Sequence, residues 1–223
     1  MAYFNLTNEL DEHLLVQGVK KENVPSVIGE IYYKFAMIKH TDYFVVGYGS
    51  LMNIRSAKRT LVPAVSIPIT INGWQRIFNL KSEKDKCTYL NVRENKEAKS
   101  ICLAHKVSYT DMFDFILRER NYDLVFLDQK SVKFGPRTQK ERTEQNSDCP
   151  IAMVVATEKE QLSSYEPNMS YVQAVINGAS KIGIACVNNI VNDCVLGDGV
   201  TNIKKWLETV NLVEYFSKND SRY

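Results

Sequence analysis

The chain has little of what marks a metal, disulfide or membrane protein. Its three histidines, His13, His40 and His105, are scattered, with no pair at helical spacing and no Cys/His cluster, so no metal site is expected. Its five cysteines form no CxxC, and their odd number fits reduced thiols and a cytoplasmic protein better than a disulfide framework. Cys102 and Cys186 fall in apolar runs and are expected in the core, whereas Cys149 falls in a polar stretch and is expected to be exposed. No apolar run approaches the roughly 18 residues of a spanning helix, so no membrane partner is expected. The first residues, Met1 to Asn5, lack the basic and apolar regions of a secretory signal. Charge of one sign is also missing. The 28 Lys and Arg against 26 Asp and Glu leave +2, which gives no reason to expect nucleic acid as a partner.

What is present suits one globular domain: 223 residues, 44% of them hydrophobic, enough to close a full core. The expected organisation is an N-terminal helical extension over residues 1–40 and a main domain over 41–223. Leu10, Leu14 and Leu15 predict an amphipathic helix from about Thr7 to Gln17. A second helix is expected from near Asn23, with Val27, Ile31 and Phe35 as its stripe. Between 43 and 107 the pattern is mainly of strands. Tyr43 to Tyr48 is apolar and β-branched, and Val65, Ile67, Ile69 and Ile71 alternate. Pro68 points to an edge or a bulge. Asn72-Gly73 reads as a turn before a strand over Trp74 to Asn79. Cys87 to Val92 and Ile101 to Val107 read as two strands separated by a charged turn from Arg93 to Lys99.

Ser108 with Asp111 predicts a capping box and a helix from about Tyr109 to Arg120, burying Met112, Phe115 and Ile116. A strand opens at Leu124 and extends toward Phe134. The polar stretch over residues 135–149 reads either as a solvated hairpin loop or as a lid, and Ile151 to Ala156 as the last clear strand. Helices are expected to about Ile182 with Tyr171, Val172, Val175 and Ile176 on one apolar face, from Ile184 to Val191, and after Thr201 as cap, the last with Ile203, Trp206, Leu207, Val210 and Val213 inward. About six strands with interspersed helices fit an α+β fold on a small mixed β-barrel with surrounding helices.

The most informative stretch is Phe44-Val45-Val46-Gly47-Tyr48-Gly49-Ser50-Leu51-Met52, a strand running into a glycine-rich turn with a short helix after it. Glycines let main-chain N–H groups approach an anion, and the helix from Asn53 would point its positive end at the same place. A dinucleotide fingerprint does not fit. Met52 stands where a third glycine is needed, and no Asp or Glu occurs between Gly49 and Ser82 to hold a ribose. No nucleotide or other cofactor is expected.

The second informative residue is Glu119, in the run Phe115-Ile116-Leu117-Arg118-Glu119-Arg120-Asn121-Tyr122. At the end of a helix the dipole opposes an anion, so its carboxyl is expected to be more basic than usual, as a general base acting on an amine requires. Arg118 and Arg120, as immediate neighbours, are expected to point away from it. On local sequence alone Glu119 reads first as a surface charge in an Arg-Glu-Arg run.

Several motifs in order carry a resemblance to the gamma-glutamylcyclotransferase-like superfamily. Tyr48-Gly49-Ser50-Leu51-Met52 is similar to its YGSLM signature, and Gly73-Trp74-x-Arg76-x-Phe78 to its GWxRxF strand. Arg118-Glu119-x-x-Tyr122 resembles its RE…Y element, and Tyr171 to Gly183 its YxxxIxxGAxxxG helix. The resemblance spans about Tyr43 to Gly183, with Lys99-Ser100 standing where many members carry Pro-Gly. It implies an enzyme that converts a gamma-glutamyl compound into 5-oxoproline and a free amine or amino acid, with the small substrate as partner. It implies Glu119 as catalytic base. Tyr48, Gly49, Ser50, Leu51 and Tyr122 are the expected substrate-binding residues, the turn's amides facing a carboxylate or oxyanion. Arg76 is read first as a strand-surface charge and second as shaping the site. The alternative function is a non-catalytic module that binds a small ligand or a protein on the same fold. Oligomeric state is left open.

Overall fold

The computed structural model describes residues 20–23, 26, 29–30, 33–34, 38, 40–119, 122–135, 149–156 and 165–210. The expected helix from Thr7 to Gln17, the stripe of Val27, Ile31 and Phe35, nearly all of the 135–149 stretch, Arg120 and Val213 lie outside the described residues.

β1 (Asp42–Gly47) is buried along almost its whole length. It is a near-continuous apolar run because neighbours cover both its faces, as in any strand at the centre of a sheet. It pairs antiparallel with β3 (Cys87–Ser108) and parallel with β6 (Ile151–Val155). β3 pairs antiparallel along its length with β2 (Val65–Ser82). β4 (Asp123–Leu127) flanks β6, and β5 (Val132–Phe134) flanks β2, giving the order β4-β6-β1-β3-β2-β5, with β7 (Val195–Leu196) also on β2. The result is a mixed sheet curled into a half-barrel and packed with helices, an α+β fold.

Several elements differ from the sequence expectation. Asn72-Gly73 is no turn. β2 runs straight through it with a bulge between Asn72 and Trp74, and Gly73 takes φ +84°, a conformation only glycine adopts cheaply. Arg93 to Lys99 is no turn either: it belongs to β3, with Arg93 and Glu94 paired to Gln75 and Trp74, Lys99 paired to Asn72, and residues 95–98 taken up by the irregularity between them. Charged residues on a strand that projects past the core stay solvated, so polarity alone imitates a loop. A second bulge between Phe78 and Leu80 adds to the local twist of this long hairpin. The strand expected from Leu124 toward Phe134 breaks at a 3-10 turn, Gln129–Ser131, where the Asp128 side chain accepts the Lys130 N–H. Pro68 sits where the β5 ladder ends, its carbonyl accepting the Gly135 N–H at 2.8 Å. Cys149 is buried, not exposed, and all five thiols are free and buried.

Ser26, Gly29, Glu30, Tyr33 and Lys34 are helical, and five helices with both ends described follow: α1 (Ile54–Ala57), α2 (Tyr109–Arg118), α3 (Met169–Ile182), α4 (Ile184–Asp193) and α5 (Ile203–Thr209). The cap of α5 is Asn202, one residue after the expected Thr201. The capping box of α2 forms in full, with Ser108 and Asp111 each satisfying the other's main-chain N–H. It starts the helix directly off the end of β3. Ten residues later the helix stops with Glu119 as its C-cap, its side chain on the inner side of the sheet's end. Met112, Phe115 and Ile116 anchor α2 in the same core as β1, β6 and the inner face of α3. No helix among the described residues is long and apolar enough to cross a membrane.

Candidate active site

The site begins where β1 ends. Ser50–Met52 forms a 3-10 turn, and Asn53 caps α1 by accepting the Arg55 N–H on its side chain. Two buried polar residues hold this turn from beneath. Arg76 on β2 is 1% exposed, and its Nε donates to the Tyr48 carbonyl at 2.8 Å. Its Nη1 donates to Asn189 Oδ1 at 2.9 Å, and its Nη2 to the Ile101 carbonyl. His105 on β3 is fully buried, with Nε2 2.8 Å from the Leu51 carbonyl and Nδ1 2.8 Å from Ser66 Oγ. A carbonyl only accepts, so Nε2 carries the proton and the Ser66 hydroxyl donates to Nδ1. Burial lowers the pKa of this imidazole, which keeps it neutral.

Arg76 is therefore not the strand-surface charge first expected but a clamp on the turn. The signal was present in the sequence: Trp74, Arg76 and Phe78 alternate, which places the arginine on a largely apolar face. A further residue whose part in the site was missed is Tyr171, expected only as an apolar helix position. Asn168 caps α3 by accepting the Tyr171 N–H. The Tyr171 ring packs edge-on against Phe78 and Tyr89, and its hydroxyl accepts the Ser50 N–H at 3.3 Å. Its pKa is pushed up to about 12, chiefly by burial. A Cβ on Gly49 would lie 2.4 Å from that hydroxyl, so residue 49 must be glycine for α3 to approach this closely. Gly178 does the same one face along, where a Cβ would meet the Met52 and Asn53 backbone at 2.7 Å.

Across from this turn stands Glu119. Its own N–H caps the Phe115 carbonyl, and its carbonyl accepts the Tyr122 N–H at 3.0 Å, a turn that leads the chain into β4. The carboxyl side chain is 14% exposed and its pKa is raised, the main cause being burial, with Arg118 opposing. That opposition corrects the expectation that both arginines point away. Arg118 Nε lies 3.0 Å from Glu119 Oε1, because the C-cap leaves helical geometry and swings its side chain back. Arg118 also reaches Thr60 Oγ1 at 2.8 Å and the Ser56 carbonyl at 3.2 Å, tying the end of α2 to the segment after the turn.

Tyr48, Gly49, Ser50, Leu51, Glu119 and Tyr122 all line one cavity of about 240 Å³, together with Tyr89, Arg118 and Tyr171 among others. That volume suits a group the size of one amino acid and falls below the range of drug-sized pockets. Burial also raises the Tyr48 and Tyr122 phenols, and Glu119 adds to both shifts. The phenols are therefore un-ionised donors near neutrality. The Ser50 amide is not open as expected, since the Tyr171 hydroxyl takes it. The arrangement combines one carboxyl of raised basicity with phenolic donors and a main-chain turn. Such a set can move a proton and hold an anion.

No protein-family model matches the chain, and no curated protein matches it. Among solved structures it is similar to YkqA from Bacillus subtilis, at 18% identity over 68% of this chain with a TM-score of 0.47. The chain spans about half the length of that protein, covering 53% of it. It is also similar to a gamma-glutamyl cyclotransferase specific to glutathione from yeast, at 11% identity over 67% of this chain and 96% of that one, TM-score 0.46. A third similar structure is a gamma-glutamyl cyclotransferase at 10% identity, covering 66% of this chain and 84% of the other, TM-score 0.47.

Proposed function

We propose that the protein is a gamma-glutamylcyclotransferase-type enzyme, releasing 5-oxoproline from a gamma-glutamyl compound. The observation that carries this reading is the buried Glu119 carboxyl, its basicity raised, sharing an amino-acid-sized cavity with the Tyr48–Leu51 turn. The substrate brings its own nucleophile, so the site needs no serine, cysteine or metal. Glu119 takes a proton from the α-ammonium, and the freed amine attacks the side-chain amide carbon and closes a five-membered ring. The oxygen that gains charge lies at the turn, where main-chain N–H groups and the phenols stabilise it. The bond to the leaving nitrogen then breaks as protonated Glu119 returns its proton there, and the ring nitrogen gives its remaining extra proton to the regenerated carboxylate, which passes it to the departing amine. Holding the chain folded supplies most of the acceleration, since effective molarities for such closures reach about 10⁵ M or more.

The test offers the purified protein gamma-glutamyl dipeptides, glutathione and gamma-glutamyl amines, and measures 5-oxoproline. Wild type is expected to release it from at least one of them, and Glu119→Gln to keep its fold while losing nearly all turnover. Equal turnover in the two proteins removes Glu119 as the base.

A second reading is a binding module without turnover. The Arg118–Glu119 ion pair favours it, because a paired carboxylate is a weaker base, as does the Tyr171 hydroxyl on the Ser50 amide. Calorimetric binding of panel members with no 5-oxoproline from any of them selects this reading.

A further inference from the structure

Among the described residues the buried lysine and arginine side chains are those of Lys34 and Arg76, and each holds the carbonyl of a tyrosine that lines the cavity. Arg76 Nε donates to the Tyr48 carbonyl. Lys34, 7% exposed, donates through Nζ to the Tyr122 carbonyl. Lys34 lies in the helical stretch ahead of β1, outside the span of motifs from Tyr43 to Gly183. The carbonyl it holds stands one residue before the β4 ladder, which begins at Asp123. Burying an ammonium is costly, and a helix docked by apolar contacts alone would not need one. Burial lowers the Lys34 pKa, while the charges of Asp123 and Glu30 oppose that shift and favour the ammonium.

Resting on the cyclisation reading, we propose that Lys34 is a positioning residue, through which the segment ahead of β1 fixes Tyr122 in the reaction cavity. Lys34 does not line the cavity, so it acts through Tyr122. The Tyr122 N–H donates to the Glu119 carbonyl at 3.0 Å, and the Tyr122 carbonyl is held by Lys34. A residue has only two soft main-chain dihedrals, so tying the peptide groups on both sides of Tyr122 gives its Cα–Cβ bond one direction. That direction puts the phenol in the cavity with Glu119, close enough for the carboxylate charge to raise the phenol pKa. Lys34 thereby holds the phenol where it stabilises the oxygen that gains charge during ring closure.

The test uses the full chain carrying Lys34→Met, Lys34→Arg or Tyr122→Phe, each measured well below its unfolding midpoint. With isotope-labelled tyrosine, the Tyr122 ring signals are assigned by their absence from Tyr122→Phe. They are expected to shift or broaden in Lys34→Met and to return toward wild type in Lys34→Arg. For the panel member that wild type turns over fastest, kcat is expected to fall about tenfold in Lys34→Met, with KM changed by less than about twofold. Lys34→Arg restores most of that loss. In a Tyr122→Phe background Lys34→Met is expected to cost about twofold or less in kcat, because the group it positions is gone. A loss of equal size in both backgrounds, no loss in either, or ring signals that do not move overturns the proposal and leaves Lys34 as an anchor for its own helix. Absence of 5-oxoproline from wild type removes the cyclisation reading instead, and the ring signals alone then decide whether Lys34 positions Tyr122.

Discussion

The guanidinium of Arg118 and the carboxylate of Glu119, neighbours in the chain, meet at 3.0 Å across the end of α2. The contact exists because Glu119 is the C-cap: with φ −97° and ψ 31° it leaves the helical path that would have fanned the two side chains apart. The carboxyl is thus set by two opposed influences, with burial raising its pKa and Arg118 lowering it.

Removing the arginine leaves burial unopposed. Arg118→Gln is expected to raise the Glu119 pKa further, and carboxyl-carbon NMR titration reads this directly. In the same variant the acidic limb of any pH–rate profile moves to higher pH. A Glu119 titration that stays in place or falls contradicts the assigned balance.

A buried carboxyl of raised pKa also tilts stability with pH. The folded state holds the Glu119 proton up to its raised value, whereas the unfolded chain loses it near the ordinary 4.5. This group's contribution is therefore complete below the unfolded value and is lost as pH rises through the folded one. Glu119→Gln is expected to gain stability relative to wild type at pH 7 and to lose that advantage at pH 4. Urea midpoints at the two pH values supply the comparison, and a gain that grows on acidification has the wrong sign.

Arg76 holds the turn by bonds that no other side chain can replace in place. Arg76→Met removes the donor to the buried Tyr48 carbonyl, to the Ile101 carbonyl and to Asn189. Each of the two carbonyls left unpaired costs about 1–3 kcal/mol, so a loss of roughly 2–6 kcal/mol is expected by urea unfolding. A loss near zero means the turn is held by other contacts.

Gly49 and Tyr171 make a paired test. Gly49→Ala places a methyl 2.4 Å from the Tyr171 hydroxyl oxygen and 3.6 Å from the ring carbon that bears it. The single substitution is expected to cost about 1–3 kcal/mol through overpacking. In a Tyr171→Phe background the offending oxygen is gone, and the same substitution is expected to cost at least about 1 kcal/mol less. Simple additivity in this cycle removes the hydroxyl contact as the reason for glycine.

Local signals in the chain were strong where one element decides its own shape. The alternation in β2, the capping box at Ser108 and Asp111 and the apolar stripe of α3 all appear as read. The charged stretch from Arg93 to Lys99 was misread as a turn, because pairing with β2, not its own polarity, makes it a strand. Alternation placed Arg76 on an apolar face, but its burial is settled by the carbonyls of Tyr48, just past β1, and of Ile101 in β3, which only the folded sheet brings beside it.

By itself the sequence determined most of the elements, the glycine-bearing turn after β1 and the position of Glu119 at a helix end, since propensity, capping and alternation act over a few residues. Only the tertiary structure decided that the turn, Glu119, Tyr122 and Tyr171 line one cavity and that Arg118 folds back onto Glu119. Those outcomes depend on packing between segments as far apart as residues 50 and 171, and burial and charge pairing between such segments arise from the assembled fold.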